Sequence, residues 1–228
     1  MVTQNELARR IFGGLSPSYD SVLDWMTVFQ DRSWKRRMLQ KLSLGESATM
    51  LDIGCGTGVL EERFPSMASQ VVGIDLTSGM IRLAQQKSMK SVPHLGMADA
   101  EHLPFRDGCF DLVVSCYVPK YCDTRRFVDE LARVLKPGGT MAVYDFTKPR
   151  GPLAPMLNLY VDGFVPALGK LVDRFDRSLA FTCTALPGLI RSTAWDDEIA
   201  VALQENGLLG GRQRMTGGVV TMFWASKQ

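Results

Sequence analysis

The sequence is poor in the residues that build metal clusters and disulfide frameworks. His94 and His102 are its two histidines, and its five cysteines, Cys55, Cys109, Cys116, Cys122 and Cys183, form no Cys-x-x-Cys pair. Neither zinc nor a disulfide scaffold is therefore expected, and the thiols are read as reduced ones in a cytoplasmic protein. No run approaches the roughly 18 uninterrupted apolar residues of a spanning helix. The start, MVTQNELARR, lacks the basic stretch and apolar run of an export signal. A soluble protein, at most peripheral to a membrane, is the expectation. Nor is there an excess of one charge. The formal net charge of +2 is too small to advertise a nucleic-acid surface, so no such partner is expected.

What is present is enough apolar sequence for a substantial core. With 46% hydrophobic and 22% charged residues over 228 positions, the chain suits one α/β domain spanning 1–228 with accessory segments. Residues 5–42 carry apolar positions at mixed helical spacing, broken at Gly13-Gly14 and Ser16-Pro17, and predict two or three short helices; residues 1–47 are read as an N-terminal helical cap. Strands and helices then alternate: strand Thr49 to Ile53, helix Val59 to Phe64, strand Gln70 to Ile74, helix Ser78 to Lys87, and a short strand from Leu95 to Ala98. A fourth strand covers Phe110 to Cys116, a helix Thr124 to Leu135, a turn Lys136 to Gly139 and a fifth strand Thr140 to Phe146. That rhythm predicts a Rossmann-like, doubly wound and mostly parallel sheet. Residues 149–192 interrupt it with five prolines and apolar stretches, and are read as a helical insert serving as a substrate lid. A helix from Trp195 to Asn206 follows, and Gly217-Gly218 separates two strands that would close the sheet as an antiparallel hairpin.

The chemistry begins at Leu51 to Gly58, LDIGCGTG. Asp52 ends a strand, and Gly54, Gly56 and Gly58 let the backbone turn tightly and admit a ligand against it. A dinucleotide fingerprint would need a third glycine where Val59 stands, so the spacing favours a methyltransferase turn. Asp75, about 20 residues further on at the end of the second strand, is placed to accept ribose hydroxyls. Asp99-Ala100, after the third strand, offers a carboxylate for an adenine amino group and a backbone N–H facing the ring; a plain turn or cap acid is the alternative for Asp99 alone. Together the three features describe adenosine recognition. A sulfonium attached to that adenosine would favour acids, carbonyls and aromatic faces, and Tyr19 is a candidate face. Leu76, beside Asp75, completes this part of the expected cofactor wall.

With these motifs, the sequence resembles the class I S-adenosylmethionine-dependent methyltransferases, and more narrowly the ubiquinone and menaquinone biosynthesis C-methyltransferase family. The resemblance also rests on SPSYDSVLDWMTVFQDRSWKRRM (Ser16 to Met38), RVLKPGG (Arg133 to Gly139), YDFTKP (Tyr144 to Pro149) and TGGVVTMFWASK (Thr216 to Lys227). It implies S-adenosylmethionine as methyl donor, S-adenosylhomocysteine as product, and cofactor contacts from Thr57, Asp75, Asp99, Ala100 and the fourth-strand end at Ser115 or Cys116. The chain departs from the family after that strand, where an arginine-asparagine pair is usual and VPKYCD (Val118 to Asp123) stands instead; FTCTALPGLIRSTAW (Phe181 to Trp195) also matches poorly.

Methyl transfer from a sulfonium needs alignment and exclusion of water more than strong acid-base machinery. A phenolic ring methylated on carbon would gain from loss of a hydroxyl proton. Asp145, at the carboxyl end of the fifth strand, is the first candidate base, with a loop-anchoring acid as the alternative. Tyr117 and Lys120 are candidates to position an oxygen or stabilise a phenolate, Lys120 standing in for the family's arginine. The basic run Arg32 to Arg37 suits contact with anionic lipid, or is simply a solvated helix face. The acceptor expected is a small apolar molecule, ring C-methylation of a demethylmenaquinol-type quinone precursor being the leading reading. A methyltransferase for another small molecule and a non-catalytic S-adenosylmethionine-binding protein remain as alternatives. No metal is expected, and the oligomeric state is open.

Overall fold

The computed structural model describes residues 4–12, 19–42, 48–63, 68–87 and 94–228. The expected breaks at Gly13-Gly14 and Ser16-Pro17, and the expected helix end at Phe64, lie outside them. Seven strands form one sheet in the order β3-β2-β1-β4-β5-β7-β6: β1 (Thr49–Ile53), β2 (Gln70–Asp75), β3 (His94–Met97), β4 (Phe110–Cys116), β5 (Leu135–Phe146), β6 (Leu208–Met215) and β7 (Val220–Lys227). The first five run parallel; β7 enters antiparallel beside β5, and β6 pairs antiparallel with it at the edge. This is the doubly wound sheet with a C-terminal hairpin that the alternation predicts.

Strand alternation sorts the side chains into two cores. On one face Leu51, Val113, Val143 and Phe223 meet α6 (Thr124–Val134) and α10 (Trp195–Glu205). Helix α6 is there because Phe127, Val128, Leu131 and Val134 fall on one side at helical spacing. Its start is fixed by Asp123, whose side chain accepts from the Arg126 N–H at 3.1 Å. On the other face Met50, Val114, Ala142 and Met222 pack beneath Trp34, Met38 and Leu39 of α3 (Asp31–Leu39), the third of three N-terminal helices after α1 (Gln4–Phe12) and α2 (Tyr19–Met26). Two shorter helices, α4 (Val59–Arg63) and α5 (Ser78–Gln85), follow β1 and β2.

The expected turn at Lys136 to Gly139 is not a separate element. Phe110 pairs with Leu135 and Leu112 with Thr140, so the four residues bulge out of a continuous β5, with Gly138 at φ +76°. The bulge lets Lys136 reach Asp111 at 2.8 Å, and Asp111 also accepts from the Thr49 N–H (2.9 Å) and hydroxyl (2.7 Å), lacing β5, β4 and β1 together. These donors, the Lys136 ammonium first, hold the Asp111 carboxyl down at about 2. The folded value lies below that of an unfolded aspartate, about 3.9, so its stabilisation is complete above that pH and disappears as pH falls through about 2. Asp111→Asn is therefore expected to lower stability at neutral pH and to flatten its decline between about pH 4 and 2, as read by urea unfolding across that range.

Between β5 and α10 the insert forms α7 (Ala154–Leu159), a π-turn (Tyr160–Phe164) and α8 (Val165–Val172) as one run of helical backbone, then α9 (Arg177–Ser192) with Pro187 inside it. Gly169 lets α8 lie close on α9: a Cβ there would stand 2.9 Å from that of Cys183. The insert is tied to the N-terminal helices, since the Tyr160 hydroxyl donates to Met26 O at 2.9 Å. The turn between β6 and β7 joins both: Thr216 Oγ1 accepts from Trp34 Nε1 (3.1 Å) and donates to Gln30 Oε1 (2.7 Å), while a Cβ on Gly217 would lie 2.5 Å from Leu157. Among the described residues no helix is long and apolar enough to cross a membrane.

Candidate active site

The carboxyl ends of β1, β2 and β4, the segment after β3 and helices α1 and α2 enclose a cavity with about 960 Å³ of unfilled space open to solvent. It lies where the strand order reverses between β1 and β4, the usual ligand crevice of such sheets. Its floor is the glycine turn. The N–H groups of Gly54 and Cys55 donate to Ile74 O at 2.8 and 2.9 Å, pinning the turn to the end of β2. Gly54 adopts φ +75°, and a Cβ there would fall 2.2 Å from Val118 Cγ2; Gly56, at φ +58°, faces open space. Both positions require glycine's freedom, the first for close packing and the second for ligand approach.

Asp75 ties the turn to the cavity. Its Oδ2 accepts from the Gly56 N–H at 3.1 Å, and its Oδ1 from the Thr77 N–H and hydroxyl at 2.8 and 2.9 Å. Burial pushes its pKa up, against those donors. Oδ2 has capacity for one more bond, and exchange of the Thr77 hydroxyl would free another. Asp99 also faces the cavity while accepting from the Glu101 N–H at 2.9 Å, so the cavity position and the turn role hold together. Leu76 and Ala100 line the same end.

Beneath the turn, Asp52 and Glu61 are both buried acids. Burial and then mutual repulsion push Asp52 well up, and burial raises Glu61. Asp52 Oδ1 has no hydrogen-bond partner, and Asp52 lines the cavity. An orphaned acceptor under a ligand-sized space suits a cationic ligand group.

The N-terminal helices close the cavity. Tyr19 lines it, with burial raising its pKa, and meets Phe12 edge-on at 6.2 Å. Thr57 lines it too, but its hydroxyl donates to Asp20 Oδ1 at 2.6 Å, and Lys87 Nζ reaches Asp20 (2.7 Å), Thr57 (3.2 Å) and Glu62 (3.0 Å). This polar clasp fastens α2 onto the glycine turn. Sequence reasoning missed Asp20 and Lys35 as wall residues, although the tyrosine-aspartate pair and the tryptophan-lysine pair stood among the segments that carry the resemblance.

At the end of β4 the structure chooses between the two expected residues. Cys116 lines the cavity; Ser115 faces the other side of the sheet and donates to Ile53 O at 2.8 Å. Gly58, just before α4, likewise lies off the cavity. Tyr117 lines it from a left-handed backbone, φ +67°. Its hydroxyl donates to Asp31 Oδ1 at 2.7 Å, as does that of Tyr144 at 3.0 Å, and Lys35 Nζ sits 2.6 Å from Asp31 Oδ2. Burial raises Asp31, but Lys35 and the two hydroxyls outweigh it and hold the carboxyl below its ordinary value.

Asp145 and Lys120 do not line the cavity, which corrects the expectation that they flank the reacting atoms. They form a buried ion pair at 2.7 Å, with side chains 0% and 2% exposed. Asp145 also accepts from the N–H groups of Lys120 (3.0 Å) and Phe146 (2.7 Å), and Lys120 Nζ donates to Tyr117 O at 2.7 Å. Every acceptor direction used by Asp145 is turned inward because strand alternation sends it away from the face that carries Tyr144. Among the described residues no three His, Cys, Asp or Glu side chains gather to hold a metal ion.

A mostly parallel sheet with this strand order, a glycine turn, acids near the ends of β1 and β2 and a third acid after β3 define an S-adenosylmethionine-dependent methyltransferase. The model of the methyltransferase domain family matches residues 51–143. The chain is 32% identical to demethylmenaquinone methyltransferase of Corynebacterium urealyticum, over 95% of this chain and 92% of that protein. It is 34% identical to 2-phytyl-1,4-naphtoquinone methyltransferase of Nostoc punctiforme, over 95% and 96%. A solved S-adenosylmethionine-dependent methyltransferase from Aquifex aeolicus shares the fold, with TM-score 0.60 and 18% identity over 94% of this chain and 100% of that one. The chain belongs to the ubiquinone and menaquinone biosynthesis C-methyltransferase family and is an S-adenosylmethionine-dependent enzyme.

Proposed function

We propose that the enzyme methylates a ring carbon of a demethylmenaquinol-type hydroquinone. The observation that carries this reading is the near full-length identity to relatives named for demethylmenaquinone and phytyl-naphthoquinone methylation. An apolar wall of Phe12, Leu23, Val118 and Tyr121 beside the polar glycine turn supports it, since such an acceptor needs both. In this reading 1–228 is one domain, with 1–47 as cap and 149–192 as lid.

S-adenosylmethionine supplies an activated methyl group on a sulfonium. Asp75 and Thr77 hold the ribose hydroxyls, Asp99 and Ala100 the adenine, and Asp52, ionised by the cation it meets, the ammonium, while Gly54, Gly56 and Thr57 form the floor and Leu76, Cys116 and Tyr19 the walls. Tyr117 is the aromatic wall placed against an acceptor ring: it lines the cavity, and its hydroxyl is held by Asp31. Lys35 stands beside Tyr117 on the cavity wall, its charge shared with Asp31. Asp145 and Lys120 act one layer behind, fixing the backbone that carries Tyr117.

A second reading, a different small phenolic acceptor, is favoured by the sequence VPKYCD in place of the arginine-asparagine pair, because the cation it retains is withdrawn into the Asp145 pair. Incubation with S-adenosylmethionine and demethylmenaquinol tests the choice. Ring-methylated menaquinol and S-adenosylhomocysteine in equal amounts are expected; no turnover on that quinol alongside turnover on another phenol would overturn it.

A further inference from the structure

Helical backbone runs unbroken from α7 through the π-turn to the end of α8, and one side of it buries nothing. Leu153, Met156, Leu159, Phe164, Ala167 and Leu171 recur every three to five residues along it and are exposed; Leu159 is 73% and Leu171 70% exposed, and Phe175, just past the end, is 88%. Their buried counterparts, Val161, Val165 and Gly169, point at the protein instead. An amphipathic helix of a globular protein presents charge outward; this one presents leucine and phenylalanine.

The stripe continues onto the N-terminal helices. Trp25, 67% exposed, stacks edge-on with Phe29 at 5.0 Å. The preceding contacts of Met26 with Tyr160 and of the Thr216 turn with Gln30 and Leu157 put that pair beside α7. Val28 and Phe29 project from left-handed backbone, φ +50° and +58°, a conformation costly for a branched side chain and one that holds two apolar groups in solvent. Contiguous apolar surface of this kind marks an interaction site. Arg32, Lys170, Arg174 and Arg177 are exposed along it, with Asp173 exposed and Asp162 and Asp176 half-buried among them, Asp162 already paired with Arg191.

We infer that this face docks on an anionic lipid bilayer, the helix of residues 154–172 lying in the plane of the headgroups. Projecting apolar side chains with flanking cations are the composition of an interfacial helix. A second copy seated on the same face would set these cations against their own kind. The face lies on the lid and on α2, whose Tyr19, Asp20 and Leu23 wall the cavity, so docking would place the cavity entrance at the membrane. The inference rests on the lipophilic acceptor proposed above.

The test is co-sedimentation with phosphatidylcholine vesicles containing phosphatidylglycerol, against pure phosphatidylcholine. Wild-type protein is expected to bind the anionic vesicles, and Leu159→Glu/Leu171→Glu/Phe175→Glu to bind at least about tenfold more weakly. Arg174→Glu/Arg177→Glu is expected to abolish the preference for anionic lipid. Unchanged affinity for S-adenosylmethionine verifies that both variants fold. No vesicle binding by wild type, equal binding by the triple variant, or self-association in solution that the triple variant abolishes would each overturn the inference. Turnover of a short-chain demethylmenaquinol in the absence of lipid is measured separately, so that failure of the acceptor is distinguished from failure of the docking face.

Discussion

Lys120→Met is expected to lower the free energy of unfolding by about 3–5 kcal/mol, because it leaves Asp145 buried and charged without a partner. The structure gives no relief: Asp145 is 0% exposed, and its remaining donors are two backbone N–H groups. The double variant Lys120→Met/Asp145→Leu is expected to recover much of the loss, since an apolar pair of similar volume needs no desolvation of charge. Urea unfolding of the two variants measures this. Asp145→Asn separates a supporting role from a chemical one. If Asp145 only anchors the chain behind Tyr117, the folded variant keeps its turnover rate within about tenfold; loss of a general base would cost about 10²–10⁴.

Asp75→Ala is expected to weaken S-adenosylmethionine binding by about 100-fold. Hydrogen bonds to a carboxylate contribute about 1.5–3 kcal/mol each, and the loss of the ribose contacts, about 3 kcal/mol, corresponds to two decades in affinity. The same substitution strips the Gly56 N–H of its acceptor, so the turn itself loosens. Isothermal titration measures the affinity, with thermal unfolding alongside. A dissociation constant within threefold of wild type would show that the ribose is held elsewhere.

The sheet was legible because local and global signals agree along it. Apolar runs of strand length alternate with helical periodicity, and each run ends in a residue with a chemical reason to be there: Asp52, Asp75, Cys116. The KPGG bulge read as a turn because lysine, proline and two glycines carry turn chemistry whether or not a strand resumes its pairing beyond them; only the partner β4 decides that. The cavity floor was legible for the same reason as the sheet, since glycine spacing is local. Its walls were not. The Asp20–Thr57–Lys87 clasp joins residues separated by up to 67 positions, and the Asp31 carboxylate draws hydroxyls from β5 and from the residue after β4. Ser115 and Cys116 are adjacent in sequence, and strand alternation alone sends them to opposite faces. Asp145 misled because it ends a strand at the expected rim, where nothing local says that a lysine 25 residues earlier will claim it.

Thr216, between the last two strands, is hydrogen-bonded to Trp34 across 182 residues of sequence, and its neighbour Gly217 packs on the insert. The final hairpin also supplies β7, without which β5 has an open edge. During synthesis, therefore, the glycine turn and its acids can assemble on β1, β2 and β4 while the cap and insert still lack the piece that braces them. Domains emerge from the ribosome amino-end first, and contacts this distant in sequence form late. The glycine turn and its strands mature early and the bracing of the cap and insert last, so a chain cut short before residue 216 would retain the motifs of a methyltransferase without the hairpin that ties α3 to the insert.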